Sequence, residues 1–129
     1  MEFSFPEHFR FADSHEYVNP QDDLVRIGIS AFAVDQLGDI VFVDLPEPGS
    51  SIEKGNAFGS VESVKAVEDM YAPISGKVVE RNDSVLDNPE ELQNDPHGKG
   101  WLMLVEPSNP EEIGELFDSV SYAKKIAPK

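Results

Sequence analysis

Short runs of β-branched and aromatic residues, broken at close intervals by glycine and proline, set the pattern of this chain. Residues 24–29 (Leu-Val-Arg-Ile-Gly-Ile) are rich in branched side chains, which favour a pleated backbone. Residues 40–45 (Ile-Val-Phe-Val-Asp-Leu) are apolar at consecutive positions, so the pattern predicts a strand covered on both faces in the middle of a sandwich. Further strands are expected over 57–62, 67–71, 76–81 and 101–105. Turn signals separate them: Pro46-Glu47-Pro48-Gly49, Lys54-Gly55-Asn56, Ala72-Pro73 and Asn82-Asp83. Strands this short, with turns this frequent, point to a mostly β sandwich or barrel.

Helical signals are brief and peripheral. Ser30 can cap a helix over 31–37, and Gly38 can end it. Asn88-Pro89-Glu90-Glu91 and Asn109-Pro110-Glu111-Glu112 each combine a cap, a proline at the first helical position and acids in the first turn. The second predicts a helix over 110–117 with Ile113, Leu116 and Phe117 on one face. A last short helix over 119–126 carries Lys124 and Lys125 at its negative end. The C-terminal helical segment thus covers about 110–126, and residues 1–129 suit a single domain.

Charge narrows the partners. Twenty-five acids against 10 bases give a formal charge of −15, which repels nucleic acid and anionic membrane surfaces and favours salt-sensitive docking into basic clefts. No run approaches the roughly 18 apolar residues of a membrane span. The N-terminus has neither a signal-peptide nor a transit-peptide pattern. The chain reads as cytoplasmic and bacterial; a mature organellar form stripped of its leader has the same features. There is no cysteine, so thiol chemistry has to be imported on a cofactor. His8, His15 and His97 are too scattered for a metal site and read as structural or surface residues. No nucleophilic triad, phosphate loop or catalytic carboxylate pair stands out, and Asp83, Asp87, Glu90 and Glu91 read as turn and helix-start residues.

One lysine stands in a setting that changes its meaning. Gly59-Ser60-Val61-Glu62-Ser63-Val64-Lys65-Ala66-Val67-Glu68-Asp69 reads as strand, tight turn, strand, a hairpin at about 57–71 with Lys65 at its tip. Gly55 and Gly76 flank that tip ten and eleven residues away, a weak internal symmetry. A tip presents the whole butylamine to solvent. Flanking strands make the surroundings rigid enough for a modifying enzyme to recognise a shape, and small neighbours, Ser63 and Ala66, leave it room.

These motifs, in order with Ser14-His15-Glu16-Tyr17-Val18, Ile27-Gly28-Ile29, the Leu37-to-Pro46 run, Pro73-Ile74-Ser75-Gly76, Gly100-Trp101-Leu102 and Pro107-to-Glu112, resemble the H-protein family of the glycine cleavage system over nearly the whole chain. The resemblance implies a lipoyl/biotinyl-type hybrid β-sandwich with short peripheral helices, including at the C-terminus. It also implies lipoate joined by an amide to Lys65. The shuttle so formed takes the aminomethyl group from a pyridoxal-phosphate glycine decarboxylase to a folate-dependent aminomethyltransferase, and is then reoxidised by dihydrolipoamide dehydrogenase. A lipoate ligase or a lipoyl/octanoyl transferase would attach the cofactor. The chain would be a carrier without an active site of its own, most simply a monomer. Ser14, Glu16 and Asp69 are the positions that match the family's pocket for the loaded arm; carboxylates there suit a protonated amine. The chain departs from many members at Tyr17, where they have Trp, and at Ser30-Ala31, where Thr followed by an acid is common. Gln36 stands where some have His, which leaves its contact with the arm open.

Rival readings differ at definite residues. A biotin carrier has its lysine between methionines, whereas Val64 and Ala66 flank Lys65. A 2-oxoacid dehydrogenase lipoyl domain has Asp before the lysine, within a longer chain with Ala/Pro-rich linkers. A lipoyl carrier of another pathway, or a lipoate relay, shares the lysine motif. An unmodified β-sandwich interaction module would keep its function in Lys65→Arg.

Overall fold

The computed structural model describes residues 5–126. It consists of two antiparallel sheets with short helices around them. The strands are β1 (Arg10–Phe11), β2 (Glu16–Gln21), β3 (Leu24–Ile29), β4 (Ile40–Asp44), β5 (Ser51–Ile52), β6 (Ala57–Ser63), β7 (Val67–Tyr71), β8 (Gly76–Arg81), β9 (Met103–Pro107) and β10 (Phe117–Asp118). The larger sheet has seven strands in the order β10-β1-β2-β3-β9-β8-β5, the smaller three in the order β4-β6-β7. The helices are α1 (Ala31–Leu37), α2 (Asp83–Asp87), α3 (Glu90–Asn94) and α4 (Ser119–Ile126), with a 3₁₀ turn at Pro110–Glu115. The mostly β sandwich with peripheral helices is therefore present.

The core is divided by the two sheets. Val18, Val25, Ile27, Ile74, Val78, Met103 and Val105 pack together along the larger sheet. Ile29, Val34, Ile40, Val43, Val61, Met70, Leu92 and Leu102 join α1, α3 and the smaller sheet. Phe58 touches both groups and bridges them. A third cluster, Phe9, Phe11, Tyr17 and Tyr122, seats α4; Phe11 and Tyr122 stack with ring centroids 4.3 Å apart.

Several sequence expectations need correction. Residues 40–45 do not form a central, doubly covered strand: β4 is an edge of the smaller sheet, and Val41 and Phe42 are exposed. Apolar sequence alone could not reveal the bulge that turns both outward. β2 was not among the expected strands; in it Pro20 sits opposite Val25 at the exposed end. Asn82-Asp83 opens a helix, not a turn, because the Asn82 side chain donates to the carbonyls of Lys99 and Trp101 (2.8 and 2.7 Å) and leaves the chain free to coil. The expected strand at 101–105 begins two residues later, at Met103. The helix expected over 110–117 is a 3₁₀ turn that stops at Glu115. Phe117 leaves the proposed apolar face and pairs with Phe11 as an exposed strand residue, while Leu116 stays buried. The helix at 31–37 forms as its caps demand: the Ser30 Oγ accepts from Ala33 N, and Gly38 N donates to Val34 O.

Candidate functional site

The β6–β7 hairpin is held in register by the pairs Ser60–Asp69, Val61–Glu68 and Glu62–Val67. Its turn closes through Ser63 N donating to Ala66 O at 2.8 Å. Ser63 does more than leave room. It is buried, and its hydroxyl accepts from Lys65 N (3.1 Å) and Ala66 N (3.2 Å), so one oxygen pins the lysine's own backbone. Val64 N donates to Asp39 O (3.0 Å), which ties the tip to the start of β4. Lys65 is exposed on this pinned tip. The end of its exposed side chain passes near Gly38, at the end of α1. A Cβ on Gly38 would come within 3.3 Å of Lys65 Cε and 3.8 Å of Nζ. Gly38 has φ +81°, a conformation only glycine takes without strain.

A cleft of about 410 Å³ opens along the free edge of β7. Ser14, His15 and Glu16 form one end; Ile29, Phe32, Ala33, Gln36 and Leu37 form the wall from β3 and α1. Val61, Met70 and the backbone run from Glu68 to Tyr71 form the opposite side. A larger open groove, about 730 Å³, lies elsewhere, between β5, β8 and the 3₁₀ turn. It is away from Lys65, and its Glu112 is already spent accepting from Ser75 N (2.8 Å) and Ser75 Oγ (3.3 Å). Size alone does not choose the site.

The cleft brings together Ser14, Glu16 and Asp69, and adds Gln36 to its wall. Glu16 is not a surface acid: it is 2 % exposed. The Ser14 hydroxyl donates to its Oε1 and Tyr71 N donates to its Oε2 at 3.0 Å. Burial raises its pKa above the ordinary value, against the opposing pull of those two donors. Asp69 is exposed. Strand alternation sets Asp69 on the outer face with Ser60, and Glu68 on the inner face with buried Val61 and Met70. Because β7 is an edge strand, both acids border the cleft. Sequence reasoning missed Glu68; counting two residues back from Met70 would have found it.

His15, expected only as a structural or surface residue, also reaches the cleft wall. Its backbone is left-handed (φ +80°), held by His15 N donating to Ala12 O (2.9 Å) and by Ser30 N donating to His15 O (2.9 Å). Its Nδ1 lies 2.7 Å from the Tyr122 hydroxyl, which in turn lies 2.7 Å from Ser30 Oγ. Burial, with the Lys125 charge nearby, lowers the His15 pKa, and burial pushes Tyr122 up to about 12. The imidazole and phenol are therefore neutral at pH 7, and a short neutral chain of hydrogen bonds joins α4, the cap of α1 and the cleft. His97 sits in the aromatic cluster and accepts from Ala31 N at 3.0 Å, which requires an unprotonated Nε2. Among the described residues no group of three or more His, Asp or Glu side chains forms a metal site, and no helix is long and apolar enough to cross a membrane.

Comparison with known proteins agrees with this architecture. The profile of the family described as "Glycine cleavage H-protein" matches residues 9–129. A glycine cleavage system H protein of Prochlorococcus marinus (strain NATL2A) is 72 % identical over 127 residues, 98 % of this chain and 99 % of that protein. One from Synechococcus sp. (strain CC9605) is 67 % identical over 126 residues, 98 % of each. The crystal structure of a glycine cleavage system H protein from Mycobacterium marinum superposes with a TM-score of 0.87 at 39 % identity, covering 94 % of this chain and 98 % of that one. With its hairpin lysine, two-sheet frame and cleft in hand, the chain belongs to the glycine cleavage H-protein family.

Proposed function

We propose that this chain is the lipoyl-bearing shuttle of the glycine cleavage system, with lipoate attached through an amide to Lys65. The observation that carries the reading is the pairing of a pinned, exposed lysine with a cleft that combines aliphatic side chains of β3, α1, β6 and β7 with the oxygens of Ser14, Glu16, Glu68 and Asp69. When bound, the lipoyl group supplies the disulfide that takes up the aminomethyl unit from glycine, yields it to folate and is left as a dithiol for reoxidation. Ile29, Ala33, Leu37, Val61 and Met70 give an aliphatic arm an apolar wall to lie against. Ser14, Glu16 and the Asp69–Glu68 pair offer oxygen acceptors where a cationic amine would end. Glu16 holds its proton to a higher pH than a free acid. An ammonium beside it would oppose that shift and favour the charged carboxylate.

The chain supplies positioning and shelter; the redox sulfurs belong to the cofactor. Tethering keeps the reactive end at high effective concentration at each docked enzyme. The partners on this reading are a pyridoxal-phosphate glycine decarboxylase, a folate-dependent aminomethyltransferase, dihydrolipoamide dehydrogenase, and a lipoate ligase or lipoyl/octanoyl transferase. The chain acts as a cytoplasmic, non-enzymatic monomer. The test is intact mass with peptide mapping after co-expression with a lipoate ligase and free lipoate. One lipoyl amide on Lys65, absent from Lys65→Arg, is expected. An unmodified Lys65 alongside a modified control domain would overturn the reading.

A further inference from the structure

Four large apolar side chains stand in solvent at the lysine end of the smaller sheet: Val41 (48 % exposed), Phe42 (54 %), Val64 (68 %) and Val67 (64 %). Their arrangement depends on a defect in the strand. Ile40 pairs with Ser63 and Phe42 with Glu62, so Val41 is an extra residue in β4. Regular alternation from buried Ile40 would have turned Phe42 inward and Val43 outward. The bulge instead turns Val41 and Phe42 outward together and returns Val43 to the core, 2 % exposed. Phe42, Glu62 and Val67 then form one cross-strand row on the outer face, with Val64 and Lys65 at its end.

The charge around this patch has one sign. Asp44, Ser60 and Asp69 form the next row on the same face, and Glu62 lies within the first. Lys65 is the one basic residue among 40–44 and 57–71. An apolar centre with an acidic rim is the anatomy of a protein contact, and its complement is an apolar lip edged with Arg or Lys.

Reach identifies the occupant. The unmodified lysine extends no farther than its own four-carbon chain, so an enzyme that acylates it has to press against the hairpin tip. Enzymes that meet the far end of an attached lipoyl arm can dock at a distance. The geometry points to the Val41-Phe42-Val64-Val67 face as the docking surface for the enzyme that acylates Lys65, an enzyme with an apolar, basic-rimmed active-site mouth. This rests on the reading of Lys65 as an acylated lysine. In that step Nζ forms an amide bond to the acyl carbon of an activated donor and the donor's leaving-group bond breaks. The ammonium gives up two protons to the leaving group and solvent.

The test measures initial rates of lipoate transfer by a lipoate ligase, with lipoate and ATP, against carrier concentration. Phe42→Ser, Val67→Ser and the double variant remove apolar area that is already mostly outside the core, so folding survives; melting curves check it. Val120→Ser, equally exposed (62 %) but on α4, is the control. The double variant is expected to lose at least about tenfold in kcat/KM, carried by KM, as truncating an aromatic anchor at an interface does, while Val120→Ser stays at the wild-type rate. Wild-type rates in the double variant, or equal losses in Val120→Ser, overturn the proposal. So does an effect confined to the decarboxylase KM, which would assign the face to that enzyme. Concentration-dependent self-association abolished by Phe42→Ser would assign it to a second copy of the chain. If the wild-type chain takes no acyl group on Lys65 while a control domain does, it is the carrier reading itself that has failed.

Discussion

Replacing Glu16 with alanine separates what the buried carboxylate does for the fold from what it does for an amine. The change deletes the acceptor for Tyr71 N, 3.0 Å away, and for the Ser14 hydroxyl. An orphaned, part-buried N–H costs about 1–3 kcal/mol. Relief of an ill-solvated carboxylate, visible in its raised pKa, offsets part of that. A net loss of about 1–2 kcal/mol is expected, which lowers the melting temperature by about 3–8 °C in a domain of this size. Glu16→Gln keeps the shape, can still accept from Tyr71 N, and can donate to Ser14. It should therefore stay within about 1 kcal/mol of wild type at pH 7. The pH dependence gives a second check. A carboxyl whose folded pKa lies above its ordinary 4.5 contributes stability that is complete below 4.5 and is lost as pH rises through the raised value. Glu16→Gln should therefore gain on wild type as pH climbs from about 4.5 towards neutral. Calorimetric melting of both variants across that range is the assay. An Ala variant that melts with wild type at pH 7, or a Gln variant that runs parallel to wild type at every pH, refutes the argument.

Three further outcomes follow from named contacts. Ser63→Ala removes the acceptor shared by Lys65 N and Ala66 N; a stability loss of about 1 kcal/mol in chemical denaturation is expected, together with a higher KM for acylation of Lys65. Gly59→Ala would drive its Cβ into the backbone carbonyl of Asp44, on the neighbouring strand β4; the paired strands cannot part without losing their ladder, so about 1–3 kcal/mol should go, read in the same assay. His97 is neutral where it accepts from Ala31 N, and burial lowers its pKa below 6.5. Its stabilising effect is thus complete above 6.5 and declines as pH falls towards the lowered value, so His97→Gln should flatten the acid limb of the stability curve measured by denaturant titration between pH 7 and 5.

Much of this was legible in the residues, for reasons that differ by element. Capping signals worked where the cap was local: Ser30 and Gly38 bracket α1 because each needs only its own neighbours. The hairpin was legible because a tight turn at 63–66 sets the pairing of the strands on either side of it. Expectations failed where a distant partner decided. Asn82 became a helix start because carbonyls seventeen and nineteen residues away hold its amide. Residues 110–117 broke at Leu116 because Phe117 finds a pairing partner in Phe11. In the cleft, the triplet Ser14, Glu16 and Asp69 came from resemblance, whereas the burial of Glu16, the inner-face position of Glu68 and the approach of His15 depend on packing that no local pattern encodes.

Glu16 belongs to the larger sheet and Tyr71 to the smaller, and their hydrogen bond crosses from one to the other. The lysine that would anchor an arm is therefore on one plate of the sandwich, and the residue at the far end of the cleft is on the other. Any slippage between the plates changes the span from anchor to terminus. An arm tethered at Lys65 would have to bridge that junction within its maximum reach, and this bond would help to hold the span steady. Loosening the junction would leave the hairpin tip around Lys65 unchanged while shifting the Glu16 end of the cleft relative to it.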